Sequence, residues 1–264
     1  MFYLTLPSNS SLQYYPDNTL THFTTQLGRS VDLTGLWEVG LAEIQYPHTW
    51  HNVNEKEGWI CIDTKGRKTT VKLPAGQYDT PEQLIGGLNQ MLDLRQTYSI
   101  RKRRIAVDLT DPTHVNLKKV HFSYYEIMQK ATISVKQGSS VELSPILKRM
   151  LGMQMTTLAA GSHEGAHVVD VNQGFHSLYV YCNVVEPRPV GDSEVPLLRI
   201  VPIEGKSGQM MTKTYENIQY IPVSQKHFRT LDMDIKKDTG EPVPFECGKL
   251  VVTLHFRKRK PNLY

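Results

Sequence analysis

Cysteine and long apolar runs are both scarce in this chain. Its 264 residues include three cysteines, Cys61, Cys182 and Cys247, whose wide spacing predicts neither a disulfide framework nor a zinc knuckle. Cys182 falls in an apolar run, where we expect a small buried hydrophobe. No stretch approaches the roughly 20 apolar residues that a membrane helix needs, so we expect no membrane span. The first seven residues lack the basic region of a signal peptide, which favours a soluble intracellular protein. In the cytosol or nucleus its thiols would be reduced.

Charge of one sign is not in large excess either. The 30 basic and 26 acidic residues leave a formal net charge of +4, too little to indicate a nucleic-acid binder from composition alone. A hydrophobic fraction of 39% with 21% charged residues is typical of a globular protein and not of a disordered one. The length fits one large all-β domain, or one such domain with an insertion.

Aromatic and β-branched residues are abundant and lie in short runs. The 13 Tyr, 7 Phe and 3 Trp favour strands, and the 15 Pro and 18 Gly indicate many turns. Trp37, Val39 and Leu41 alternate with Glu38 and Gly40, which is the period of two expected of a strand. Such runs predict strands near residues 2–6, 20–27, 36–46, 59–63, 69–73, 105–109, 115–122, 131–135, 177–185, 195–203, 218–223, 230–235 and 249–256. Many short strands with few helices predict an all-β sandwich or barrel.

Two segments carry complete helix start signals. Thr80 is the expected N-cap of the first, Pro81 is its first helical residue, and apolar residues then repeat at helical spacing. Ser144 and Pro145 begin the second, and Gly152 is its expected end. We expect both to be short helices in connections of the β domain.

One segment formally matches a zinc-protease motif. His163, Glu164 and His167 have the H-E-x-x-H spacing, which on a helix places both histidines on one face beside a general base. Gly161 and Gly165 disfavour a helix, and residues 168–171 read as a strand. A polar, glycine-rich loop leading into a strand is therefore the favoured interpretation, and a zinc-dependent hydrolase is kept as an alternative. We expect no enzyme activity, no metal and no cofactor, since no other catalytic motif appears.

Two basic runs could contact phosphates or act as nuclear import signals. The first precedes a predicted strand, which favours a solvated turn. The second follows the last predicted strand, on a tail that is free to meet a partner. A nucleic-acid-binding β-barrel is therefore a further alternative. The basic residues are Arg101, Lys102, Arg103 and Arg104 in the first run and Arg257, Lys258, Arg259 and Lys260 in the second.

Several stretches resemble the minor capsid (penton) protein of Polinton/Maverick elements and adintoviruses. The resemblance extends from the first strand to the last and is weakest at about residues 55–165. The stretches that carry it are Phe2-Tyr3-Leu4-Thr5-Leu6-Pro7-Ser8-Asn9-Ser10-Ser11, Trp37-Glu38-Val39-Gly40-Leu41-Ala42-Glu43-Ile44-Gln45-Tyr46-Pro47-His48, Leu178-Tyr179-Val180-Tyr181-Cys182, Val190-Gly191-Asp192, Leu197-Leu198-Arg199-Ile200-Val201, Asp238-Thr239-Gly240, Pro244-Phe245-Glu246-Cys247-Gly248-Lys249 and Thr253-Leu254-His255-Phe256-Arg257.

That resemblance implies a structural protein without an active site. The expected fold is one jelly-roll capsid domain over residues 1–264, with an insertion within about 55–165. The expected partners are further copies of the chain in a homopentamer at an icosahedral vertex, the double jelly-roll major capsid protein, and packaged DNA at the basic tail. The expected location is the virion capsid, assembled in the nucleus or cytoplasm. The length favours the minor subunit, because a double jelly-roll protein should be about twice this size.

Overall fold

A computed structural model describes the backbone of residues 1–102 and 119–259, and the side chains of residues 1–93 and 119–259. The chain divides into two units: unit 1 comprises Met1–Trp50 with Phe175–Tyr264, and unit 2 comprises His51–Gly174. In chain order the elements are β1 (Phe2–Pro7), β2 (His22–Asp32), β3 (Trp37–Pro47), β4 (Trp59–Thr64), β5 (Arg67–Lys72), α1 (Pro81–Lys102), β6 (Val120–Tyr125), β7 (Lys130–Val135), β8 (Ser139–Leu143), α2 (Pro145–Met150), β9 (Thr157–Leu158), β10 (Gly161–Glu164), β11 (Ser177–Cys182), β12 (Arg188–Val190), β13 (Ser193–Val195), β14 (Leu197–Pro202), β15 (Met210–Thr214), β16 (Ile221–Pro222), β17 (His227–Lys236) and β18 (Val251–Lys258).

Unit 1 is built from two antiparallel sheets. One has the strand order β1-β18-β3-β15, and the other has the order β14-β11-β17-β2. β16 shares the edge position of β15, since the two strands pair with different stretches of β3. With β15 and β16 counted as one edge position, the chain changes sheet at every step except the one from β11 to β14. Eight strand positions connected in this way form a jelly roll, so the predicted all-β jelly-roll fold is confirmed.

The core of unit 1 lies between the inner faces of the two sheets. In β11 the side chains of Leu178, Val180 and Cys182 are buried while the residues between them are partly exposed, as the pleat of a strand requires. Phe228 of β17 and Phe256 of β18 meet across the sandwich, with ring centroids 5.9 Å apart. Burial of each such side chain contributes about 2–3 kcal/mol, so this apolar layer is the main source of stability in unit 1.

Unit 2 has its own apolar core beneath two smaller sheets and two helices. Its sheets have the strand orders β10-β7-β6 and β5-β4-β8-β9. The predicted start of α2 is confirmed: Ser144 caps it by accepting a hydrogen bond from the amide of Leu147, and Pro145 is the first helical residue. α1 begins at Pro81 as predicted but extends to Lys102, beyond the apolar stripe that indicated it. Unit 2 follows β3 and precedes β11 in the chain. The interpretation of unit 2 as an insertion in a single domain stays a prediction.

Other sequence predictions need correction. Residues 168–171 form no strand, because the amides of Val169 and Asp170 donate to the carbonyls of Gln129 and Met150 and not to a neighbouring strand. The strands β8, β9, β12, β13 and β15 were not predicted. The predicted strand at 105–109 and residues 115–118 of the one predicted at 115–122 lie outside the described residues. Within the described part of the chain, no helix is long and apolar enough to cross a membrane.

Candidate functional site

A groove opens between the edges of the two sheets of unit 1, where β1 and β2 lie side by side at the ends of their sheets. We call it the edge groove; it is an open cavity of about 750 Å³. Its lining residues are Phe2, Tyr3, Leu4, Leu27, Gly28, Arg29, Ser30, Val31 and Asp32. The apolar side chains among them also pack on the core, so the floor of the groove is apolar and continuous with the interior.

β1 forms the first wall of the edge groove and presents an unpaired backbone edge. It pairs with β18 on one side, and no strand pairs with its other side within the described residues. The sequence from Phe2 to Pro7 contains no charged residue. Sheet edges are normally protected against pairing by charges, proline, bulges or short length, and β1 has only Pro7 at its end. An uncharged edge of this kind is a ready template for a strand from another chain.

The other edge positions of unit 1 carry the protection that β1 lacks. β14 contains Arg199 and ends at Pro202, β15 contains Lys213, and β16 is two residues long. β2 is interrupted by a bulge: Phe228 pairs with Val31 and Thr230 with Gln26, so four residues of β2 face one residue of β17. β1 is therefore the exception among the described edges of this unit.

The bulge of β2 forms the second wall and places a cation at the groove. Its four residues are 27–30, and Gly28, Arg29 and Ser30 are exposed. Arg29 has no ion pair within the described residues. Asp32, the acidic residue of the groove, is hydrogen-bonded through its carboxylate to the ring of His227. The free charge at the rim is thus positive.

A projecting hairpin lies at the opposite edge of the same sandwich. β12 and β13 pair only with each other within the described residues, through a two-residue turn of Gly191 and Asp192. Gly191 has φ +62°, a conformation that favours glycine at the first position of such a turn. Asp192 and Glu194 are exposed at the tip. Because β13 leads directly into β14, the hairpin is fixed at the far edge from β1 and β2.

The outer face of the β1-β18-β3 sheet carries a polar cluster around His255. The ring of His255 is buried, stacks on Tyr3 at 4.4 Å and bonds to the hydroxyl of Tyr220 through Nδ1 at 2.6 Å. Its Nε2 atom is buried without a hydrogen-bond partner in the described structure. Burial, followed by the positive charges of Arg257 and the α-amino group, lowers the pKa of His255.

Comparison with solved structures gives a match for the fold of this chain, whereas the two sequence comparisons give none. No protein-family model and no curated protein matches the chain. The crystal structure of the mavirus penton protein, labelled with selenomethionine, is similar, with a TM-score of 0.52 at 10% sequence identity. The match covers 97% of this chain and 99% of that one. The fold of this chain is penton-like. At 10% identity the likeness shows the fold, and the assignment to Polinton/Maverick elements or adintoviruses stays a prediction.

The first two residues of the second basic run are part of the β1-β18-β3-β15 sheet, so the prediction of a free tail is wrong for them. Arg257 and Lys258 belong to β18 and pair with Glu38 and Trp37 of β3. The Nε atom of Arg257 lies 2.5 Å from the Glu38 carboxylate, and its guanidinium covers the ring of Tyr220. The backbone amide of Arg259 donates to the carbonyl of Leu36, and Lys260 lies outside the described residues.

The first two residues of the first basic run lie in a helix, whereas the sequence predicted a turn before a strand. Arg101 and Lys102 are the last two residues of α1, because the helix continues past its apolar stripe. Arg103 and Arg104 lie outside the described residues.

The zinc-protease motif is not on a helix. His163 and Glu164 are consecutive residues of β10 and therefore point to opposite faces. Nε2 of His163 lies 2.8 Å from the carbonyl oxygen of Ala159, and the Glu164 carboxylate accepts a 3.0 Å bond from Lys130. The expected loop is thus a strand, paired with β7. Among the described residues no group of three His, Cys, Asp or Glu side chains is placed to hold a metal.

Sequence reasoning missed the edge groove and the role of β1 as a sheet edge. The available signal was the run Phe2–Pro7, which is uncharged and apolar at alternate positions. Which strand lies at an edge depends on pairing between residues far apart in the chain, and no local pattern reports it. The turn at Gly191 and Asp192 was noted in the sequence only as part of the resemblance.

Proposed function

We propose that this chain is a minor capsid (penton) subunit that forms homopentamers at the vertices of an icosahedral particle. We further infer that it is of the kind encoded by Polinton/Maverick elements and adintoviruses, and that it has no catalytic role. The observation that supports this most is the jelly-roll strand order of unit 1, together with a likeness to the mavirus penton protein over nearly the full length of both chains.

Self-assembly into a ring is physically compatible with this sandwich. A five-fold ring uses a heterologous interface, in which one patch of a subunit meets a different patch of the next. The uncharged edge of β1 and the exposed β12–β13 hairpin are two such different patches on one unit. Unit 2 is, in this proposal, the insertion carried by the jelly roll between β3 and β11.

The proposed partners beyond the pentamer are the double jelly-roll major capsid protein and packaged DNA. Of the second basic run, Arg257 is occupied by Glu38, whereas Lys258 and Arg259 have no ion pair within the described residues. These two residues are therefore the better candidates for a phosphate contact. The proposed location is the virion capsid, with assembly in the nucleus or cytoplasm of the host cell.

Negative-stain microscopy of the purified chain tests the proposal directly. We expect rings with five-fold symmetry, and co-expression with a major capsid protein of the same element should place them at particle vertices. Fields that contain only single subunits would contradict the pentamer. The two alternatives have their own readouts: stoichiometric zinc lost in His163→Ala would support a hydrolase, and steeply salt-dependent DNA binding would support a nucleic-acid-binding barrel.

A further inference from the structure

The edge groove cannot be filled by the hairpin of its own chain. In the sheet order β14-β11-β17-β2, the hairpin is attached at the β14 end and the groove lies at the β2 end. Three strand spacings separate these ends, which is about 14 Å at the usual distance between neighbouring strands. Any hairpin of this sequence that enters the groove must therefore come from a second copy.

The groove and the hairpin lie at the same end of the sandwich. The groove is lined by the first residues of β1 and the last residues of β2. β2 ends beside the start of β17, since Asp32 pairs with His227. The pairing of β11 with β17 stops at Cys182 and Met233, and the chain turns there toward the hairpin. The two patches therefore lie toward the same end of the sandwich and at opposite edges of it, as a head-to-tail ring requires.

The free charges of the two patches are opposite. Arg29 stands at the rim of the groove with no ion pair in the described structure. At the hairpin tip, Asp192 accepts a 3.3 Å hydrogen bond from the hydroxyl of Ser193, and neither Asp192 nor Glu194 has an ion pair within the described residues. Complementary charges of this kind favour the correct register and disfavour like-with-like contacts.

We propose that the edge groove of one copy receives the β12–β13 hairpin of a second copy. The inference rests on the proposed pentamer and names its interface. β13 is the strand that adds to the free edge of β1, because Pro189 in β12 cannot donate an amide hydrogen bond. Asp192 and Glu194 of one copy then meet Arg29 of the next.

A charge swap in the full-length chain tests the proposed pairing. Arg29→Glu, the pair Asp192→Lys with Glu194→Lys, and all three changes together are compared with the wild type by sedimentation velocity. We expect the first two variants to raise the dissociation constant of the oligomer by at least about tenfold, because each brings like charges together. The triple variant should return to within about threefold of the wild type. Arg67→Glu, an equivalent change at an exposed site on β5, is the matched control and should leave assembly unchanged.

The outcomes separate this inference from the proposed function. A wild type that forms pentamers, with Arg29→Glu forming them equally well, would overturn the hairpin contact and leave the proposed function standing. A wild type that remains monomeric would overturn both.

A cross-linking experiment keeps the inference open to test if a charge variant fails to fold. Arg29→Cys and Glu194→Cys are introduced together on a Cys247→Ser background, which removes the exposed native thiol. Mild oxidation should give a ladder of covalent oligomers, and each single cysteine change alone should give none beyond background. Absence of the ladder in a protein that assembles would overturn the proposed contact.

Discussion

The hydroxyl of Tyr220 lies 2.6 Å from Nδ1 of His255, and this bond joins the segment before β16 to the middle of β18. The same segment covers Gly40 of β3, where an added Cβ would lie 2.4 Å from the carbonyl oxygen of Gln219. The outer face of the sheet is thus partly roofed by residues 218–220. This roof buries the polar groups of the outer face. We therefore expect the free energy of unfolding of unit 1 to depend on pH at His255 and on side-chain volume at Gly40.

We predict that His255 makes unit 1 less stable at acidic pH. Because the folded-state pKa of His255 is lowered, the unfolded chain takes up a proton first as the pH falls. The stabilising contribution is fully present above the ordinary histidine pKa of 6.5 and is lost as the pH falls through the folded-state value. The neighbouring charged and titratable groups are Tyr3, Tyr220, Arg257 and the α-amino group.

Urea denaturation of the wild type and His255→Asn between pH 5 and pH 8 checks this prediction. Asn keeps an acceptor near the Nδ1 position but does not titrate, so its free energy of unfolding should depend less on pH below about 6.5. An identical pH dependence in both proteins would rule His255 out as the source.

Gly40→Ala should destabilise unit 1 by about 1–3 kcal/mol, because the new methyl group collides with backbone atoms that cannot rotate away. Chemical denaturation measures the loss. Gly76→Ala is the control outside the proposed interface, since its added Cβ meets nothing within 4 Å. Equal effects of the two substitutions would contradict the roof over Gly40.

Asn89 protects a sheet edge in unit 2. Its side-chain amide donates to the carbonyl of Phe122 at 2.8 Å and its oxygen accepts from the amide of Phe122 at 3.0 Å. α1 therefore occupies the edge of β6 that pairs with no described strand. Asn89→Ala should lower the free energy of unfolding by about 1–3 kcal/mol, because two backbone groups lose their partner. Gln90→Ala, at an exposed site on the same helix, should change it by less than about 0.5 kcal/mol. Indistinguishable unfolding curves for the two variants would remove this role from Asn89.

The thiol of Cys182 should be unreactive in the native protein. Burial raises its pKa to about 12, so roughly one thiol in ten thousand is ionised at pH 8. Cys247 is exposed and should be alkylated first. Peptide mass spectrometry after brief labelling with iodoacetamide measures both rates, with denatured protein as the reference. Labelling of Cys182 as fast as that of Cys247 would contradict its burial in β11.

Local features of this fold were predictable from sequence, and the pairing of distant strands was not. The apolar pattern from Trp37 to Leu41 and the cap at Ser144 are set by neighbouring residues, and the strand and the helix start that they predict are confirmed. Residues 168–171 are apolar enough for a strand, yet their amides bond to a turn and to α2. Arg257 looked like part of a tail because its partner, Glu38, is 219 positions away. The edge groove combines the first strand with a bulge in the second, so it becomes visible only in the folded chain.

The native mass of the purified chain tests the central claim most directly. Size-exclusion chromatography with light scattering, over a range of protein concentrations, measures it without labels. The account predicts a species of five times the 30.1 kDa of one chain, present in the wild type and diminished in Arg29→Glu. A mass of 30.1 kDa at every concentration would contradict a self-assembling vertex subunit.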